Sequence, residues 1–269
     1  MSSLIEKIKP FSGRHSIKEA TISTFLVNQI IKPERFQKLI ETTFKNKFKQ
    51  FTTLEQVQVQ IQKKGEASIV NTNTVKNTGF RFSGFNEKGK NTIVFQGLNE
   101  ERRKFLSFHY LEYNTWAEFY KDYSETIVDF TGAAEDLLFV NSFSLQYVDV
   151  FNWTGTTDEF IADLIFNRSS QILPAKFFES KFSRTYLLTI EQEFEGLKFL
   201  DRIEIKIENK ILPEITISHN VAHQLDNEQE LSSLVKESNF NKMLTIAHRR
   251  NKETLGDILN EDIKRLINL

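Results

Sequence analysis

The chain has 269 residues, enough to bury a sizeable core as one elaborate domain or two small ones, and it contains no cysteine, which excludes disulfides, thiolate nucleophiles, zinc–thiolate sites and iron–sulfur clusters. Lys and Arg number 35 against 36 Asp and Glu, a formal charge of -1, so no global field draws the protein to nucleic acid or to an anionic membrane. No apolar run approaches the roughly 20 residues of a membrane span, and the opening MSSLIEKIKPFSGRHS lacks a signal-peptide pattern; with the missing thiols this points to the reducing cytoplasm.

In chain order, residues 17–30 (IKEATISTFLVNQI) mix β-branched residues with partial alternation and predict a strand. Pro33 stands where a helix starts, and Phe36, Leu39, Ile40, Phe44 and Phe48 follow at the spacing of one helical face. VQVQIQ (57–62) alternates strictly, with Val57, Val59 and Ile61 on one side and Gln58, Gln60 and Gln62 on the other, as in an antiparallel strand with one wet face. Residues 63–78, rich in Lys, Gly, Asn and Thr, read as a loop. GFRFSGF, NTIVFQG and RKFLSFHYL then form a meander through the turn-like NEKGKN and LNEE. Asn114 is placed to cap the next helix, whose Trp116, Phe119, Tyr120, Tyr123, Ile127 and Phe130 fall on one stripe. Past a break at Gly132, residues 137–151 predict a long strand, 158–166 a short helix, and RTYLLTIEQEF, FLDRIEIKIEN and ILPEITIS three more strands. From Asp226 on the pattern is helical, with a second start at Asn260.

The fold class is therefore α+β, antiparallel sheets with packed helices, in two halves that share the order strand, helix, strands, helix. The seam falls at TGAAED (131–136), dividing an α+β half at 1–132 from a second at 133–269 that ends in the C-terminal helices. No Pro- or Ser-rich linker separates them, so one compact unit is expected. Phenylalanine, at 25 copies, belongs mostly to the core.

Five histidines occur, and two of them, His219 and His223 in SHNVAH, stand four apart. On a helix that spacing lets two imidazoles share a zinc ion; on a strand they lie roughly 13 Å apart. The period of two in Ile203, Ile205, Ile207, Ile215, Ile217, His219 and Val221, with the next cap at Asp226 or Asn227, predicts a strand running into a loop. The pair is expected at the surface or rim, without a metal. Glu204 and Lys206 have the Glu-x-Lys spacing that metal-dependent nucleases present on one strand face, with Asp149 or Asp163 as the upstream acid; the plainer reading is charge on the outside of an amphipathic strand.

His248, Arg249 and Arg250 form HRR near a helix end, where positive charge suits the helix dipole or an anion. Basic clusters with interleaved aromatics, FKNKFKQF (44–51) and ERRKF (101–105, with Arg102, Arg103 and Lys104), are the candidate nucleic-acid contacts. Phe44 and Phe48, however, belong to the buried stripe. His109 and Tyr110 read as core and rim, and nothing assigns a role to His15. No phosphate loop, nucleophile elbow, kinase signature or dinucleotide fingerprint is present, so no cofactor is expected.

The stretches GRHSIKEATISTFL, LSFHYLEYNTWAEFY, LLFVNSFSLQY and LTIAHRRNKETLGDILNEDIKRLI, spread over nearly the whole chain, resemble an uncharacterised family of sporadically distributed bacterial proteins of similar length, with no assigned activity. The resemblance implies an α+β protein of bacterial origin in a variable locus such as an anti-phage defence or mobile-element system; it transfers no catalytic residue. The function expected is a non-catalytic protein that binds another macromolecule, whether a protein partner or a second copy, with nucleic acid reached only through the basic patches and no membrane contact. The alternative is a metal-dependent nuclease built on Glu204 and Lys206, and a third reading is a small-ligand sensor with its pocket between the halves.

Overall fold

The structure, a computed structural model, describes residues 2–64, 67–134, 137–179, 183–208 and 213–269, and their side chains except at 2, 3, 58–64, 67–71, 73 and 76. A helical turn α1 (Ser2–Ile5) and strand β1 (Ile8–Pro10) precede β2 (Ile17–Leu26). A 3₁₀ helix (Pro33–Ile40) leads to the hairpin β3 (Gln50–Lys64) and β4 (Ala67–Phe85), then β5 (Asn91–Asn99), β6 (Lys104–Tyr110) and helix α2 (Trp116–Ala133). The second half runs through β7 (Phe139–Trp153), two 3₁₀ turns, α3 (Lys176–Glu179), β8 (Arg184–Phe194), β9 (Leu197–Glu208) and β10 (Glu214–Glu230) to the helices α4 (Leu231–Leu234), α5 (Ser238–Ile258) and α6 (Glu261–Ile267).

All strand pairings are antiparallel, in the order β3-β4-β5-β6-β2-β7-β10-β9-β8, with β1 added beside β7. Each half starts with a central strand, carries the chain out to a sheet edge, and returns by a meander whose last strand pairs with the first: β6 with β2, β10 with β7. The two central strands then pair with each other, from Ile17 opposite Asp149 to Leu26 opposite Val140. The α+β class is met by one sheet with helices packed on it.

Helices cover one face. The α2 stripe buries Phe119, Tyr123, Ile127 and Phe130, and Phe130 meets Phe36, Phe80 and Phe95 at ring-centroid distances of 4.7, 5.2 and 5.1 Å. Phe95 also packs on Phe44 and Phe82, so one aromatic nucleus ties the 3₁₀ segment, β4, β5 and α2 together. A Cβ at Gly97 would stand 2.6 Å from both Ile30 Cδ1 and Phe80 Cε1, so only glycine lets that ring lie against β5. Below α5 and α6, Ile203, Ile205, Ile207, Ile215, Ile217, Ile258 and Ile263 form a second apolar cluster.

The opposite face is polar. There Gln146 donates to Ser218 Oγ at 2.7 Å, and His109 donates from Nδ1 to Glu19 at 2.7 Å while its Nε2 accepts from Ser107 at 2.9 Å. This hydroxyl–imidazole–carboxylate row has the order of a nucleophilic relay. However, Ser107 is 3% exposed and β6 is paired on both sides, with β2 and with β5, so its amides are engaged in ladders and do not form an oxyanion hole.

Several expectations are corrected. Residues 63–64 and 67–78 are not a loop: Lys64 pairs with Ala67 and Gln56 with Val75, so the former end the first arm of a hairpin and the latter belong to its second. An arm this polar carries no apolar period to read, and Val57 and Val75 are exposed. Residues 65 and 66, and the side chains of 58–62 on which the wet-face reading rested, lie outside those described, as do 135 and 136 of the seam. Residues 158–166 form two 3₁₀ turns, 157–159 and 162–164, not a helix. The α2 cap is Thr115, whose hydroxyl accepts from the Glu118 amide, rather than Asn114. Strand β10 runs past His223 to Glu230 instead of ending in a loop. Among the described residues no helix is long and apolar enough to cross a membrane.

Phe95→Ala removes the ring shared by four others, and a loss of about 3–5 kcal/mol in urea-denaturation free energy is expected, with Phe95→Leu well below that.

Candidate functional site

Three neighbouring strands present apolar residues to the helices, and each is interrupted once by a polar group. On β7 the inward series is Phe143, Leu145, Tyr147, Asp149 and Phe151; on β10 it is Ile215, Ile217, His219 and Val221; on β9 it is Phe199, Asp201, Ile203 and Ile205. Register places His219 between Tyr147 and Ile203, and Asp149 beside Ile17 and Ile217. The three polar groups therefore share one face of adjoining strands.

Asp149 is 3% exposed. Its Oδ1 accepts from Ser16 Oγ at 2.6 Å, and among the described residues no cation pairs with it. Burial pushes its pKa up to about 6, with the Ser16 bond opposing. Asp201 is different. It is wholly buried, yet its Oδ2 accepts from Arg250 Nε at 2.9 Å and from Gln192. Burial works to raise its pKa, but His219 and Arg250 together bring it below the ordinary carboxylate value. His219, also buried, has Nε2 3.5 Å from Asp201 Oδ1, beyond a good hydrogen bond, and neither ring nitrogen has a partner. Burial lowers its pKa, keeping it neutral.

Helix α5 closes the site. His248 stacks on Trp116 at 4.6 Å with the planes 5° apart, and its Nδ1 lies 3.0 Å from the Tyr147 hydroxyl. Burial, with Lys252 and Arg249 adding to it, pushes its pKa down to about 4. Tyr147 and Tyr113 meet edge to face at 5.6 Å, and burial holds both phenols neutral, Tyr113 at about 12. One turn on, the buried Asn251 donates to the Ala247 carbonyl while its Oδ1 has no partner; neither has Thr254 Oγ1. These groups surround a cavity of about 290 Å³ between the two halves, walled further by Ile17, Ile217, Leu255 and Ile258. A wider cleft of about 1080 Å³ shares His15, Ile17, Tyr113 and Asn114 with it.

The candidates taken from the sequence are scattered around this site. Glu204 and Lys206 pair with each other at 2.8 Å on the polar face, in line with Ser218 and Val148, whereas Asp149 faces the helices with Ile217 and Ile205. Asp163 binds Arg168 in a 3₁₀ turn. The geometry thus does not assemble the nuclease set, because register puts its members on opposite sides of the sheet. His219 and His223 lie on a strand, as read, but His219 is buried rather than at the rim. His223 donates to the Lys198 carbonyl at 2.8 Å between Phe143 and Phe199. Among the described residues no three His, Asp or Glu side chains are grouped to hold a metal.

HRR sits within α5, which continues to Ile258, so a helix-end role is replaced by three separate contacts: His248 with Tyr147, Arg249 with Glu195, Arg250 with Asp201. Arg103 pairs with Glu100 and Lys104 reaches the Val27 carbonyl, while Arg102 is exposed. Lys47 of the other basic cluster bonds Thr126 and Asp122. No family model, curated protein or solved structure matches the chain.

Two expectations follow for stability. The folded Asp149 carboxyl titrates near 6 and the unfolded one near 3.8, so the native state holds more protons between these values and stability falls as pH rises from about 4 through 6. The loss is of order 3 kcal/mol at about 1.4 kcal/mol per unit. Asp149→Asn lacks this term: melting curves from pH 4 to 8 should show the variant more stable than the parent above pH 6 and level with it at pH 4. Arg250→Met leaves the Asp201 charge buried and unpaired, and should cost about 3–5 kcal/mol in denaturant unfolding, most of it recovered in Asp201→Leu/Arg250→Met.

Proposed function

We propose that this chain is a non-catalytic binding protein that takes a small ligand into the cavity between its halves. The observation that carries this reading is the placing of Asn251, Thr254 and His219 on the wall of one cavity of about 290 Å³, with Asn251 Oδ1, Thr254 Oγ1 and His219 Nδ1 all buried and without partners. A buried polar group left unpaired costs on the order of 1–3 kcal/mol, and a ligand or ordered water that meets it removes that cost. The volume lies close to the roughly 300 Å³ at which ordinary small-molecule sites begin.

Both halves supply walls: Tyr113 and Trp116 come from the first, and Tyr147, His219 and Thr254 from the second. The macromolecular partner expected from the sequence fits the same reading, since α5 and α6 line the cavity with Thr254 and Ile267 and turn charged residues such as Lys252, Glu253 and Glu261 outward. Placement in a bacterial defence or mobile-element system rests on the sequence resemblance alone.

Thermal-shift screening of the full chain against a broad small-molecule panel should find stabilising compounds; at 100 times Kd a ligand adds about 2.7 kcal/mol. Thr254→Leu fills part of the cavity and removes an unpaired hydroxyl. It should melt no lower than the parent and lose those shifts. A panel without hits, or shifts that persist in Thr254→Leu, would count against the reading.

A further inference from the structure

We propose that the cavity selects a small organic ammonium cation, seated against the Asp149 carboxylate and the rings of Tyr113 and Tyr147. This rests on the ligand-binding reading above and names the ligand class. Asp149 is the one acidic side chain among the described residues that line the cavity. A carboxylate offers about four acceptor positions, and a single donor, Ser16, fills one. An anionic ligand would meet like charge there, and a neutral one would leave a desolvated carboxylate without a counter-charge.

The remaining unpaired groups lean the same way. Asn251 Oδ1 is an acceptor only, Thr254 Oγ1 accepts readily, and the His219 ring, kept neutral by burial, offers an acceptor nitrogen. The cavity thus has a surplus of acceptors, which a ligand rich in N–H donors satisfies. Basic protein groups do not compete for Asp149: Lys252 is exposed at the rim, and Arg250 is held by Asp201. The two tyrosine rings, perpendicular at 5.6 Å, form an aromatic corner beside the carboxylate, the surface that cations prefer when desolvated. Apolar walls from Ile17, Ile217 and Ile258 suit a short hydrocarbon body. At about 30 Å³ per water, 290 Å³ holds roughly ten waters, so the probe must be small.

The test is calorimetric titration of the full chain with benzylamine, phenethylamine and 1,4-diaminobutane, set against benzyl alcohol and benzoate as neutral and anionic counterparts. The expected result is binding of at least one amine, tenfold or more tighter than its counterparts. Asp149→Asn, which keeps the shape and the Ser16 contact, should weaken that binding at least tenfold while its melting temperature at pH 7.5 does not fall. Equal binding of alcohol or carboxylate, or amine binding indifferent to Asp149→Asn, overturns the ammonium proposal and leaves the pocket reading standing. No binding by any of these probes together with an empty thermal-shift panel overturns both, and marks the cavity as one that holds water alone.

Discussion

The antiparallel pairing of β2 with β7 is the interaction on which the remainder of the structure depends. It joins two meanders, each of which closes only onto its own first strand, into one sheet with a common buried face. Its register sets Ile17 opposite Asp149 and Ala20 opposite Tyr147, which brings Ser16 within reach of the Asp149 carboxylate. A slip of one residue would turn every β7 side chain to the other face, moving Phe143, Leu145 and Phe151 from the helices to the polar side. The burial of those rings therefore holds the register, and the register holds the cavity.

Within that frame two buried acids have opposite fates. Asp201 is met by an arginine and a glutamine, so its charge is a structural element linking α5 to β9. Asp149 has one hydroxyl and a cavity. A charge kept in such surroundings opposes folding near neutral pH, and the aromatic nucleus of the first half and the isoleucine cluster of the second supply the burial that offsets it. Groups held against their own solvation and facing a cavity are where binding chemistry concentrates. Stacking of His248 on Trp116 serves the same site by joining α5 to the start of α2, one element from each half.

Much of this was legible in local pattern. The runs around Asp149, Asp201 and His219 each show a polar residue where period two calls for an apolar one: between Tyr147 and Phe151, between Phe199 and Ile203, between Ile217 and Val221. That interruption is the signal the sequence carries for these three positions. Parity along a strand separates Glu204 from Asp201, but only the register between strands separates Glu204 from Asp149. Tyr113, Asn251 and Thr254 gave no signal, since a lone polar residue on a helix or in a loop reads the same whether it faces solvent or a cavity. The hairpin arm over 67–78 reads as a loop because its sequence, ASIVNTNTVKNT, carries no sustained alternation of apolar residues, whereas GFRFSGF (79–85) in the same strand does.

From sequence alone come the α+β class, the strands with strict alternation, the α2 stripe, the core role of phenylalanine and the exclusion of thiol chemistry. These follow from backbone periodicity and side-chain chemistry, which are properties of a residue and its near neighbours. Tertiary structure decided that β2 lies beside β7, that three polar interruptions share one face, and that His219 is buried while Glu204 is not. Those outcomes depend on pairings between residues on different strands, such as Ile17 with Asp149 and His219 with Tyr147, where packing of whole strand faces selects the partner and the register.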